Sequence, residues 1–183
     1  MAQTDTCPIC LEKECDPYDD IALPCCGALI CPPCLNRVRQ AREKTPCPMC
    51  RRVLAKTPEQ GVAQLKTRVD RGELKAYWWL AQFYREGEGV KQSVKESVRL
   101  LEFAASRGNP EAQYALANHY GEGLGVEQDD EKAAQLCEQA AEQGHAIAAN
   151  NLGVYYRDGR GVTKDYEKAA RFFEQAALEG LAA

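Results

Sequence analysis

The stretch EAQYALANHYGEGLGV, residues 111–126, stands in the chain three times in altered form. KAYWWLAQFYREGEGV occupies 75–90 and IAANNLGVYYRDGRGV occupies 147–162, each displaced by 36 residues. Ala76, Ala112 and Ala148 align, as do Leu80, Leu116 and Leu152, and Tyr84, Tyr120 and Tyr156. Within a copy these residues fall at i, i+4 and i+8, which is one face of a helix. The G-x-G-V that closes each copy breaks that helix, and its glycines serve chain reversal. A second helical stretch follows, as in DEKAAQLCEQAAEQG, with paired alanines at 104–105, 140–141 and 176–177. It ends on Gly108, Gly144 or Gly180, as helix C-termini prefer. Paired alanines let helices approach closely. A fixed period of this length predicts a solenoid of stacked helix-turn-helix units.

These units resemble the Sel-like repeat, a relative of the tetratricopeptide repeat, over residues 73–180. The boundaries read as 73–108, 109–144 and 145–183. Residues 58–72, PEQGVAQLKTRVDRG, align with a second helix and its closing glycine, so 55–72 reads as a linker and N-terminal capping helix. The resemblance implies that a protein or peptide binds a concave surface lined by the first helices. Positions that vary between units there nominate Trp78, Gln82, Arg85, Tyr114, Asn118, Asn150 and Arg157. His119, beside Tyr120, reads as interhelix packing, and Cys137 as a small core residue.

Before residue 58 the composition changes. Nine of the ten cysteines and seven of the nine prolines lie within the first 50 residues. Three C-x-x-C pairs, Cys7/Cys10, Cys31/Cys34 and Cys47/Cys50, have the spacing with which two thiolates grip one tetrahedral zinc. A disulfide framework does not favour that repeated spacing. The opening MAQTDTCPIC shows no basic-then-apolar secretory pattern, which fits a reducing, intracellular setting in cytoplasm or nucleus. Two zinc sites need eight ligands, and LPCCGALICPPC (23–34) supplies the remaining pair, Cys25 and Cys26.

The order of these pairs, with CPIC at the start, LP before the second pair and CPMCRR at the end, resembles a RING finger over about residues 5–54. It would be an all-cysteine variant, in a domain spanning 1–54. The resemblance implies a cross-brace around two structural zinc ions. Cys7, Cys10, Cys31 and Cys34 would hold the first, and Cys25, Cys26, Cys47 and Cys50 the second. Cys15 is the substitute for Cys25, because adjacent thiols on one zinc strain the geometry. Four thiolates leave no open position on a metal, so such zinc is structural. About 50 residues rich in proline bury little core, and zinc would supply the missing folding energy.

The resemblance further implies a RING-type ubiquitin ligase, which positions a ubiquitin-charged conjugating enzyme without a covalent intermediate of its own. Carried over by motif, Ile9, Val38 and Pro48 would touch the conjugating enzyme, and Arg51, straight after the last ligand, would bridge enzyme and ubiquitin. The alternative is a non-catalytic zinc-binding adaptor. Val38 stands where active members often carry an aromatic residue, which favours that alternative. Nucleic acid is not the expected partner, since the formal net charge is −4 and the arginines at 37, 39, 42, 51 and 52 form no clear basic stripe. No apolar run reaches the ~18 residues of a membrane span. Only two histidines occur, both in the repeats, and no nucleophile–base constellation stands out. The expected architecture is thus a small zinc-stabilised cross-brace RING domain followed by an all-α solenoid.

Overall fold

The structure is a computed structural model that describes residues 21–22, 29–30 and 57–182. Two short strands, β1 (Ile21–Ala22) and β2 (Leu29–Ile30), pair antiparallel with Ile21 opposite Ile30. From residue 57 onward the chain forms seven helices. They are α1 (Pro58–Asp70), α2 (Leu74–Glu86), α3 (Val94–Ala105), α4 (Pro110–Glu122), α5 (Asp130–Ala141), α6 (Ala146–Asp158) and α7 (Tyr166–Ala182). First helices start at 74, 110 and 146, and second helices at 58, 94, 130 and 166, so every like element begins 36 residues after the last. Helix α1 therefore occupies the place of a second helix ahead of the first complete unit. Each helix packs on its neighbours in the chain, and α2 also touches α4.

The helix starts follow capping chemistry. Ser93, Asp129 and Asp165 each accept a backbone N–H three residues on, from Glu96, Lys132 and Lys168. A short polar side chain here satisfies one of the orphan donors of the first turn. Between the two helices of a unit the chain is pinned back by one recurring hydrogen bond. The N–H groups of Ser93, Asp129 and Asp165 donate to the carbonyls of Tyr84, Tyr120 and Tyr156 at 2.8, 2.9 and 2.9 Å.

The second glycine of the closing motif couples one unit to the previous one. Gly89 and Gly161 have φ of 63° and 64°, where L side chains are strained. A Cβ on Gly89 would collide with the backbone of Pro58, and one on Gly161 with the backbone of Asp130. The turn of each unit thus lies directly on the start of the preceding second helix.

The core repeats with the sequence. Ala76, Ala112 and Ala148 are fully buried, and Leu80, Leu116 and Leu152 nearly so. From the second helices come Val98, Leu101, Ala104 and Ala105, then Ala134, Cys137, Ala140 and Ala141. Alanine contributes little area per residue, so cohesion comes from close helix approach and from the leucine in each layer. Unit-specific pairs fill the remaining gaps. Tyr77 stacks on Phe103 at 4.3 Å, and Arg107 lies over the far partner, 3.6 Å from the Phe103 ring centre. One unit later the same two positions are Gln113 and Gln139, joined at 3.3 Å, with Gln143 donating to Gln113 at 2.7 Å.

Candidate interaction surface

The residues nominated for partner binding all lie on first helices. On α2, Trp78, Gln82 and Arg85 sit at i, i+4 and i+7 and share a face. Tyr114 and Asn118 take the matching places on α4, and Asn150 and Arg157 those on α6. Trp78, Gln82, Tyr114 and Asn118 are half-buried, while Arg85, Asn150 and Arg157 are exposed. The face therefore carries half-buried aromatic and amide groups together with exposed polar and cationic ones, a mixture suited to protein contact.

The aromatic members are held by local contacts. Trp78 meets Trp79 edge-on with centroids 4.4 Å apart, and both pack against the core. Tyr114 stacks on His145 at 4.8 Å. His145 is the N-cap of α6, its Nδ1 accepting the Ala148 N–H at 3.1 Å. That bond requires a neutral ring at Nδ1. Burial lowers the His145 pKa from 6.5, against the opposing pull of Glu111 and Glu179. Asn109 caps α4 in the same place, accepting from Ala112 at 2.8 Å and donating to Glu111.

The cations of the face are already paired. Arg85 reaches Glu86 at 2.9 Å, and Arg157 forms two bonds to Asp158 at 2.7 and 2.9 Å. The Arg157 guanidinium holds the Asp158 carboxyl below the usual carboxylate range. Exposed neighbours of this kind contribute little to stability. They leave Arg85 and Arg157 able to exchange a carboxylate of their own helix for one on a partner.

A recess lies between Tyr120 and the turn that follows it, lined by Val126, Glu127, Gln128, Asp129 and Lys132. Lys132 lies 5.3 Å from the Tyr120 ring centre, and Lys168 stands 5.1 Å from Tyr156 in the next unit. The recurrence marks a structural contact between the two helices of a unit.

His119 is buried, and its Nδ1 lies 2.7 Å from the Leu124 carbonyl oxygen, which ties α4 to its own closing turn. Cys137 is 1 % exposed, and burial pushes its thiol up to about 12. A thiol so held is not a nucleophile at neutral pH. Among the described residues no group of three His, Cys, Asp or Glu side chains could hold a metal ion. No described helix is long and apolar enough to cross a membrane. The nominated zinc ligands Cys7, Cys10, Cys25, Cys26, Cys31, Cys34, Cys47 and Cys50, the substitute Cys15, and Ile9, Val38, Pro48 and Arg51 lie outside the described residues.

Three stacked helix pairs with a mixed aromatic and polar face on the first helices define an all-α repeat scaffold suited to protein–protein interaction. The chain belongs to the Sel1 repeat family, whose model matches residues 74–109, 110–145 and 146–181. Among solved structures it is similar to a Sel1 repeat protein from Oxalobacter formigenes, with 29% identity and a TM-score of 0.66 over 69% of this chain and 52% of that one. It is also similar to c5321, a protective antigen of uropathogenic Escherichia coli strains displaying an SLR fold. There the identity is 33% and the TM-score 0.67, over 70% of this chain and 27% of that one. Helicobacter pylori cysteine rich protein B shares the fold, at 24% identity and a TM-score of 0.52 over 65% of this chain and 90% of that one. The chain thus spans about half and about a quarter of the length of the first two. No curated protein matches it.

Proposed function

We propose that the chain is a RING-type ubiquitin ligase whose Sel1 repeats hold the protein to be modified or an adaptor for it. The observation that carries this reading is the cysteine order in residues 7–50, four pairs with Arg51 directly after the last. The repeats add a protein-binding scaffold joined through a short linker. In this reading Cys7, Cys10, Cys31 and Cys34 hold one zinc ion, and Cys25, Cys26, Cys47 and Cys50 hold another. Ile9, Val38 and Pro48 receive the ubiquitin-conjugating enzyme. Arg51 donates to the enzyme and to ubiquitin together, for which a planar guanidinium fork is suited. The chemistry is positioning, and the thioester stays on the conjugating enzyme. In this reading the thiolates stay reduced, which fits a reducing compartment, cytoplasm or nucleus.

A second reading is a non-catalytic adaptor, in which the zinc module docks and the repeats display a partner. Valine at position 38 and the all-cysteine ligand set favour it. The experiment that separates them is discharge of ubiquitin from a panel of charged conjugating enzymes by the full chain. The ligase reading expects stimulated discharge, depressed by Arg51→Ala with zinc content retained. Loss of one charge-assisted contact is worth about 1.5–3 kcal/mol, or roughly one to two decades in rate. Background discharge across the whole panel selects the adaptor. Undiminished discharge in Arg51→Ala keeps the ligase and removes the role given to that residue.

A further inference from the structure

Each second helix turns one stripe toward the first helix of its own unit. Ala133 of α5 lies 3.8 Å from where a Cβ on Gly121 of α4 would stand, and Phe172 of α7 stacks on Tyr156 of α6. In register, this stripe is Ser97, Leu100 and Ala104 on α3, then Ala133, Leu136 and Ala140 on α5. On α1 the same places hold Gly61, Gln64 and Arg68. Among the described residues no helix precedes α1. Helix α2 takes the neighbouring stripe, Val62, Leu65 and Val69, with the Tyr77 hydroxyl donating to the Val69 carbonyl oxygen at 3.2 Å. Yet Gly61 is buried, Gln64 is half-buried and Arg68 is 7 % exposed.

We propose that residues 1–54 of this same chain dock on the stripe of α1 formed by Gly61, Gln64 and Arg68. Arg68 stands where the other second helices carry alanine, so a further repeat helix cannot come as close there as α2 comes to α3. The end of a solenoid that faces water is polar too, but it leaves its polar groups exposed. Here they are covered. Neither Gln64 nor Arg68 is free, and the Arg68 Nε donates to Glu73 at 2.7 Å. Such a stripe suits a partner surface of turns and backbone carbonyls, which satisfies covered donors, and not an apolar helix. The cysteine- and proline-rich segment is a partner of that composition, and it is tethered at the right end of α1. Residues 55–57 span at most about 11 Å, against about 20 Å for α1 itself. A tether so short keeps the segment at a high effective concentration around α1, so a modest polar seam is enough. The seam joins the two parts without merging their cores. It does not rest on the ligase reading; on that reading it would hold the transfer module at one fixed place relative to the first-helix face.

The test is nitrogen-15 relaxation on the full chain. The backbone amides of residues 1–54 and those of α2 to α7 should report one rotational correlation time. The Gln64 side-chain amide should show cross-relaxation to protons of residues 1–54. Gln64→Glu removes that amide donor and sets a charge in the seam. The correlation time of residues 1–54 should then shorten at least about twofold, as for a segment freed from a body more than twice its length. Unchanged circular dichroism shows that this variant folds. Ala63→Glu, the same charge change on an exposed position of α1, serves as control and should leave the single correlation time in place. Separate correlation times in the unaltered chain, or a single one that persists in Gln64→Glu, overturn the proposal. So does cross-relaxation from Gln64 to a second molecule in a mixture of labelled and unlabelled chains, because the stripe is then a contact between copies.

Discussion

Replacing Ser97 by alanine should stabilise the repeats. Ser97 lies on α3 with 0 % exposure, and its Oγ has no hydrogen-bond partner. The matching positions on α5 and α7 are Ala133 and Ala169, and on α1 it is Gly61, so the site is built for a small apolar group. A hydroxyl withdrawn from water without a partner costs about 1–3 kcal/mol. Alanine also exceeds serine in helix propensity by roughly 0.5 kcal/mol. Against these gains stands the packing lost with one oxygen atom, a small term. The net expectation is a gain of about 1–2 kcal/mol, or a rise in Tm of roughly 2–8 °C. Urea unfolding followed by circular dichroism at 222 nm should show a higher midpoint with unchanged slope. A lower midpoint would mean that the hydroxyl is satisfied, and the reasoning would be refuted at its first step.

Two further outcomes follow from the geometry of the repeats, and a third from the cysteine pattern. Gly161→Ala should cost at least about 2 kcal/mol, because it combines a positive φ with a collision against the Asp130 backbone; an unchanged urea midpoint would contradict the seating of the turn on α5. His145 is held neutral in the folded chain with its pKa below 6.5, so above pH 6.5 neither state carries the proton and its contribution is complete. As pH falls below 6.5 the unfolded chain takes up a proton that the folded one resists, and stability declines toward the folded pKa; His145→Asn, which keeps a cap like Asn109, should remove that part of the decline, and identical pH profiles for the two proteins would refute it. On the two-zinc reading, chelation of the full chain should leave the helical signal of residues 73–180 intact, because no predicted ligand lies there; helices that melt with metal removal would show that the two halves share a core.

Much of the helical architecture is legible because it depends on one residue at a time. Ala112 and Leu116 announce a buried helix face, Gly123 and Gly125 its end, and Ser93 or Asp129 the start of the next helix. Repetition at a fixed period of 36 multiplies each of these local signals. What escapes the sequence depends on pairs of residues brought together by packing. Tyr77 with Phe103 and Gln113 with Gln139 are the same pair of places, filled once by stacking and once by hydrogen bonding. Nothing local in either residue shows that they meet. Nothing in the sequence around His145 shows that its Nδ1 caps α6 or that its ring stacks on Tyr114. Ser97 looks like any polar helix position, and only the Ala133 and Ala169 of the other units hint that it is enclosed. Ala170 and Ala177 on α7 escape the sequence for the opposite reason: they stand in register with the buried Val98 and Ala105 of α3 and Ala134 and Ala141 of α5, and only accessibility tells them apart. On the interaction surface, spacing alone places Trp78, Gln82 and Arg85 together, but not the pairing of Arg157 with Asp158 or the support that Trp78 draws from Trp79.

The proposed two-zinc module ahead of the Sel1 repeats is tested most directly by metal content. Elemental analysis of the full chain, purified without chelator, should return two zinc ions per chain, with Cys26→Ser lowering the count and Cys15→Ser leaving it at two. A count near one or near zero, or disulfides among the first 50 residues by mass spectrometry, would contradict it.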